Sequence, residues 1–171
     1  MKNLLGNDKY SYVNEEDKAF IIALDDAVVG LGYAHNGIED HAENDGFEIR
    51  YYRTGLKTRK YCVKSYFRGG VFTFRMLFTN IDRHREYIEN APDFIKQPFV
   101  NAKSVCKRGT FSGCIGQRSD KCSYKKTYTI DSILHEKCSY GTFVFDNPCI
   151  ENIPRYMELL TTFFPGQKRI K

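Results

Sequence analysis

Residues 68–79 read Arg-Gly-Gly-Val-Phe-Thr-Phe-Arg-Met-Leu-Phe-Thr, and they hold the most hydrophobic strand pattern of the chain. Alternate residues of a strand point to the same face, so the apolar side chains at 72, 74, 76 and 78 predict a buried face. Thr73 and Arg75 lie on the opposite face. The glycine pair at 69 and 70 predicts a hairpin turn before this strand. The stretch therefore predicts a strand of an antiparallel sheet with one face in the core.

Two further strands are predicted upstream of this hairpin. Phe47, Ile49 and Tyr51 alternate with polar residues, and residues 61–67 form the partner strand of the hairpin. Residues 34–46 are polar, acidic and rich in Gly and Asn, so they predict a loop. Residues 1–13 predict a loosely held arm.

The helices are predicted by apolar residues at helical spacing. Asn14 precedes three acidic residues and an amphipathic run, which predicts an N-cap and a helix over 15–30. Further helices are predicted over 81–90, 93–100 and 151–164, and further strands over 124–130 and 138–145, with a turn near Asp131. These elements predict an α+β fold, an antiparallel sheet of about five strands with about three helices packed on it.

The order of the elements suggests a single domain over 1–171 made of two related halves. The first half, 14–100, joins an acidic helix to three strands, and the second, 101–171, is the Cys-rich strand-helix half. Gly70–Phe74 resembles Gly141–Phe145, and each segment precedes an Asn and an amphipathic helix. A duplication of this kind would build one sheet from both halves, but the short pattern is also a common strand sequence.

Charge is distributed unevenly along the chain. Residues 1–50 hold 4 basic and 11 acidic groups, while residues 51–171 hold 22 basic and 10 acidic groups, which gives the net charge of +5. The basic part could contact an anionic partner, or it could be a solvated surface paired in part with the acidic segment. No apolar run approaches the ~20 residues that span a bilayer, and no signal peptide is evident. We therefore expect a cytoplasmic protein with reduced thiols and no membrane partner.

Five of the six cysteines lie in the second half. Four of them, separated by 7, 7 and 15 residues, are the predicted zinc ligands Cys106, Cys114, Cys122 and Cys138. Zinc takes four tetrahedral ligands, and the neighbouring Lys and Arg residues favour thiolates. Structural zinc sites usually contain two cysteines two to four residues apart, and this segment has none. Packing or surface cysteines, and redox or disulfide chemistry, are the alternatives.

Catalytic signatures are absent from the sequence. It has no nucleophile elbow, no phosphate-binding Gly-rich loop before a helix and no zinc-protease motif. The sequence therefore favours a non-enzymatic binding protein, with a cysteine-dependent redox protein or enzyme as an alternative. A nucleic-acid-binding module is a second alternative, because residues 101–128 carry seven basic groups and a single acidic group among aromatic residues.

A small ligand is the remaining candidate partner. Glu48, Arg50 and Tyr52 share the face opposite Phe47, and Arg75 lies on the corresponding face of its own strand. If other parts of the chain cover this face, it would form a polar, aromatic-lined pocket. Open to solvent, it would be an ordinary surface.

The chain resembles uncharacterised small proteins of Firmicutes-type bacteria in three features. These are the four clustered cysteines, the segment Phe143–Pro148 and the helix from Ile153 to Leu160. This resemblance would extend over most of the chain. It implies a bacterial cytosolic protein with a cysteine metal site, but no activity and no catalytic residues. The predicted architecture alone is similar to the GyrI-like domains, duplicated α/β units that bind small molecules.

Overall fold

The strand predicted from residues 71–79 lies inside a six-stranded sheet in the computed structural model of the protein. The structure describes residues 1–41, 46–55, 60–101, 126–137 and 142–165. The α-helices are α1 (Lys2–Leu5), α2 (Glu15–Gly30), α3 (Arg85–Glu89), α4 (Asp93–Val100) and α5 (Ile153–Phe163). The strands are β1 (Tyr33–His35), β2 (Glu39–His41), β3 (Gly46–Arg53), β4 (Tyr61–Arg68), β5 (Val71–Leu77), β6 (Lys126–Ile130), β7 (Ile133–Lys137) and β8 (Thr142–Phe145). The predicted α+β class with an antiparallel sheet is confirmed.

The described contacts divide the chain into two compact units. One contains Met1–Met76 and Val144–Lys171, and the other contains Leu77–Phe143. This division differs from the predicted halves, 14–100 and 101–171. The prediction that 1–171 form a single domain stays a prediction.

The main sheet has the strand order β1-β3-β4-β5-β8, and β2 pairs with the other end of β3. The pairs β1–β3, β2–β3, β3–β4 and β4–β5 are antiparallel. On one face, Phe20 of α2 packs against Phe72 and Phe74, and Tyr156 of α5 packs against Phe74 and Phe145. This face is the apolar one that the alternation predicted, and we call it the helix side of the sheet.

Helix α2 has the predicted bounds and the predicted N-cap. The side-chain oxygen of Asn14 accepts a hydrogen bond from the backbone N–H of Asp17 at 2.7 Å. Three acidic residues in the first turn complement the helix dipole. Phe20, Ile21 and Leu24 are buried beneath the sheet. The helix therefore forms where sequence-local signals and tertiary packing agree.

The first thirteen residues are packed, which corrects the prediction of a loosely held arm. Leu5, Tyr10 and Val13 are each at most 3% exposed. The Tyr10 hydroxyl donates a hydrogen bond to Asp40 at 2.6 Å, and the Tyr10 ring packs edge-on against Phe47. Scattered apolar residues gave no periodicity from which this docking could be predicted.

Residues 34–46 contain two short strands, which corrects the prediction that this whole segment is a loop. Strand β1 pairs with the second half of β3, from Tyr51 to Arg53, and β2 pairs with the first half, from Gly46 to Glu48. Each has three residues, so its backbone is ordered by the neighbouring strand rather than by its own β-propensity.

The unit Leu77–Phe143 has an aromatic core of its own. Phe99 packs against Phe78 and Phe143, and the Tyr128 hydroxyl donates a hydrogen bond to the Phe99 carbonyl at 2.6 Å. Strands β6 and β7 pair only with each other among the described residues. Their turn contains Asp131 and Ser132, both with positive φ, as in a type I′ hairpin. This turn lies where the sequence predicted one.

The predicted repeat does not produce equivalent arrangements. In the first half, β4 and β5 form a hairpin within the main sheet, with β3 on its other side. In the second half, β6 belongs to the two-stranded sheet, and β8 belongs to the main sheet beside β5. The two similar segments are thus both strands of the main sheet, but the strands that precede them are placed differently. A single sheet built from two equivalent halves is therefore not observed.

Candidate functional site

The face of the main sheet opposite the helix side carries a dense group of charged and aromatic side chains. Register places them in rows across the strands, with Glu48 beside Tyr66 and Thr73, and Arg50 beside Lys64 and Arg75. We call this surface the cationic face, and it consists of Glu39, His41, Glu48, Arg50, Tyr52, Tyr61, Lys64, Tyr66, Arg68, Thr73 and Arg75. It holds four cationic side chains and two carboxylates besides His41, which leaves an excess of two positive charges.

Glu48 is the buried carboxylate at the centre of the cationic face. Its side chain is 1% exposed and forms ion pairs with Arg50 and Lys64. His41 Nε2 lies 3.5 Å from the same carboxylate. Arg50 also approaches Glu39 at 3.8 Å. A carboxylate buried in a strand is stable only when cations compensate its lost hydration, and here two strands provide them.

The local charges also decide the ionisation of Glu48. Burial alone would raise the pKa of its carboxyl group. The hydrogen bond and charge of Lys64, together with the charges of Arg50 and His41, outweigh burial and hold that pKa below its ordinary value. Glu48 therefore stays anionic at neutral pH and fixes the positions of the two cations.

Gly46 allows His41 and Arg68 to meet at one end of the face. A Cβ at this position would lie 2.3 Å from the Phe67 carbonyl oxygen, so β4 approaches too closely for any other residue. His41 pairs with Gly46 in register, and its Nε2 lies 3.3 Å from Arg68 Nη2. Because Gly46 has no side chain, the backbone of β4 can lie close to it.

An irregularity in β4 adds Tyr61 to the cationic face. Tyr51 pairs with Val63, but Tyr52 pairs with Tyr61, so Cys62 is an extra residue in this strand. Such a bulge reverses the alternation beyond it. Burial raises the pKa of Tyr61, and the charges of Arg50 and Arg75 act in the opposite direction. The register places Tyr61 next to the row Arg50, Lys64 and Arg75.

Two arginines of the face retain unused donors. The Nε atoms of Arg50 and Arg75 are buried and have no hydrogen-bond partner among the described residues. In the same part of the chain, Arg75 forms no ion pair, and its guanidinium lies 4.8 Å from the centre of the Tyr66 ring. A buried donor without a partner raises the free energy of the folded state.

The four residues predicted to bind a ligand are brought together. Glu48 and Arg50 are ion-paired, Tyr52 forms a side-chain hydrogen bond with Arg50, and Arg75 lies across Lys64 from Arg50. The face also contains four residues that were not predicted from the sequence, Lys64, Tyr66, Tyr61 and His41. Alternation along residues 61–67 could have indicated Lys64 and Tyr66, whereas Tyr61 depends on the bulge.

The predicted zinc ligands Cys106, Cys114, Cys122 and Cys138 lie outside the described residues. Within the described ranges, no group of three or more His, Cys, Asp or Glu side chains is placed to hold a metal ion. Cys62 is buried and Cys149 is partly buried, and both are free thiols. The zinc prediction is thus untested by this arrangement.

Comparison with known proteins gives no relative: no family model, no curated protein and no solved structure matches the chain. The resemblance to small Firmicutes-type proteins stays a prediction. None of the helices in the described ranges has both the length and the apolar character needed to cross a membrane.

Proposed function

We propose that this is a non-enzymatic binding protein whose cationic face holds an anionic ligand. The observation that carries the proposal is the row Arg50, Lys64 and Arg75, which crosses three neighbouring strands of a rigid sheet. Three cationic side chains lying side by side can donate hydrogen bonds to phosphate or carboxylate oxygens.

The buried carboxylate supports this proposal because it prearranges the row. Arg50 and Lys64 are held by Glu48, so little side-chain entropy remains to be lost when a ligand binds. Their side chains remain 36% and 20% exposed, so they stay accessible from solvent. Lys64 has three N–H donors, so its ion pair with Glu48 leaves donors for a second anion, whereas Arg50 also contacts Glu39 and Tyr52.

Two earlier predictions accompany the proposal without support from the described residues. The first is structural zinc bound by Cys106, Cys114, Cys122 and Cys138, which would close a long loop and add folding free energy. The second is a bacterial cytoplasmic location. Binding of nucleic acid through residues 101–128, a small-molecule site of GyrI-like architecture and cysteine-dependent redox chemistry remain alternatives.

Inorganic pyrophosphate is a suitable first probe because it offers several anionic oxygens without any aromatic group. We expect it to raise the thermal unfolding midpoint at millimolar concentration, since a ligand that binds only the folded state stabilises it. Isothermal titration should show about tenfold weaker binding to Arg75→Gln, because one charge-assisted hydrogen bond is lost.

Arg155→Gln is the matched control. Arg155 lies on α5, on the helix layer, and its exposed guanidinium pairs with Glu158 at 2.7 Å. This variant removes one positive charge far from the cationic face and should bind pyrophosphate like the parent protein. Equal losses in both variants would mean that net charge alone attracts the anion, and the proposed site would be wrong.

A further inference from the structure

Tyr66 occupies an unusual position within the cationic face. Three cations surround its ring, with Lys64 Nζ at 5.2 Å, Arg68 Cζ at 5.8 Å and Arg75 Cζ at 4.8 Å from the ring centre. The ring lies between Glu48 and Thr73 in register and is partly exposed. Cations next to an accessible aromatic ring can contact phosphates while the ring stacks on a base.

We propose that the anionic ligand of the cationic face is single-stranded nucleic acid, an inference that rests on the function proposed above. Its phosphates would contact Arg50, Lys64 and Arg75, and its bases would stack on the tyrosines at either side of this row. Four cations against two carboxylates provide the charge complementarity.

The spacing of the aromatic rings favours a polymer over a small anion. Tyr66 lies on one side of the cationic row, and the cross-strand pair Tyr52 and Tyr61 lies on the other. Tyr61 and Tyr66 pair with Tyr52 and Glu48 of β3, which are four residues apart, so the span is about 13 Å at about 3.3 Å per residue. At about 3.4 Å per stacked nucleotide, about four nucleotides would cover it. A mononucleotide could reach only one end.

The position of Tyr61 in this arrangement depends on the bulge at Cys62. Regular alternation would have placed Tyr61 on the helix side with Val63. The extra residue instead places Tyr61 opposite Tyr52 on the cationic face, so that aromatic residues lie on both sides of the row Arg50, Lys64 and Arg75. Single strands rather than duplexes are expected, because stacking on protein rings requires bases that are not already paired and stacked.

Fluorescence anisotropy of the full-length chain with labelled oligothymidylate and oligouridylate of about ten nucleotides tests this inference. Micromolar affinity is expected, and it should fall with salt at a slope of about 0.7 per phosphate contact. Tyr66→Leu should weaken binding about tenfold through lost stacking, and Tyr66→Phe should restore most of it. Arg75→Gln should lower the salt slope by about one contact, while Arg155→Gln should bind like the parent chain.

The results distinguish binding of single-stranded nucleic acid from binding of anions in general. If pyrophosphate binds and Arg75→Gln weakens it, but oligonucleotides bind no tighter than uridine monophosphate, the inference is wrong and the proposed function stands. If neither probe binds, both are wrong. If oligonucleotides bind Tyr66→Leu and Arg75→Gln as tightly as the parent but lose affinity in Lys107→Gln/Arg108→Gln, the contact belongs to residues 101–128 and the inference is overturned.

Discussion

At the scale of single residues, Glu48 determines how the cationic face is built. Its carboxylate loses hydration on folding, and the ion pairs with Arg50 and Lys64 compensate for that loss. Buried ion pairs of this kind often add little net stability relative to apolar residues. The main consequence of Glu48 is therefore positional, because it holds two cations in one row.

Glu48→Gln keeps the shape of the side chain and removes its charge. We expect the free energy of unfolding at neutral pH to fall by about 2 kcal/mol, less than the ~3–5 for fully buried pairs, because Arg50 and Lys64 can regain water. Urea denaturation measures this change. No loss of stability would mean that the ion pairs with Arg50 and Lys64 contribute nothing to the free energy of unfolding.

The lowered pKa of Glu48 also gives the sign of a pH effect. A carboxyl group whose pKa is lower when folded adds stability above its ordinary pKa of 4.5, and that stability is lost as pH falls through the folded value. Urea midpoints measured from about pH 7 to about pH 3 should therefore fall less steeply for Glu48→Gln than for the parent chain. Parallel curves would contradict the assigned ion pairs.

Residue alternation alone predicted part of this site. It placed Glu48, Arg50 and Arg75 on one face because the period of a strand is two. It could not place Tyr61, because a bulge depends on how β3 and β4 pair. Nor could it identify Gly46, whose requirement for glycine comes from a carbonyl of β4. The positions of Tyr61 and Gly46 therefore depend on how distant strands pair, which alternation along one strand does not reveal.

At the scale of elements, local signals predicted helices well and short strands poorly. Helix α2 has its predicted bounds, since its cap, acidic first turn and apolar face all lie within sixteen consecutive residues. Strands β1 and β2 were missed because three residues are too few to show a period, and only pairing with β3 orders them. The segment 81–90, predicted as one helix, begins as a 3-10 turn at Ile81–His84 before α3.

Asn14 offers a test at this scale. Asn14→Ala removes the acceptor for the Asp17 N–H and should lower the free energy of unfolding by about 1 kcal/mol. Asn14→Ser retains a capping oxygen and should recover most of that loss. Chemical denaturation of both variants measures the difference, and equal stabilities for Ala and Ser would show that the cap contributes nothing.

At the scale of the whole molecule, the four clustered cysteines provide the remaining prediction. If they bind zinc, protein purified without a metal-affinity column should contain about one zinc per chain. Cys114→Ser should lose both the metal and thermal stability, because binding free energy is folding free energy in such sites. Elemental analysis with thermal unfolding measures both quantities.

Cys149→Ser is the matched control, because Cys149 lies outside the predicted ligand set. It should keep the metal content of the parent chain. Native and denatured masses provide an independent check, since a bound ion is lost on unfolding. Protein without metal and with six freely titrating thiols would refute the zinc site, and the cysteines would then be ordinary packing or surface residues.

The two three-residue strands β1 and β2, which both pair with β3, also affect whether copies of this chain can aggregate through their sheet edges. An exposed strand edge is a template on which other chains can polymerise, and long, flat, apolar edges are the most hazardous. In the described part of the main sheet, the edges are β1 with β2 and the four-residue β8. The longer strands β3, β4 and β5, of seven or eight residues each, lie inside. Edge strands of three or four residues offer little backbone for the pairing of another chain.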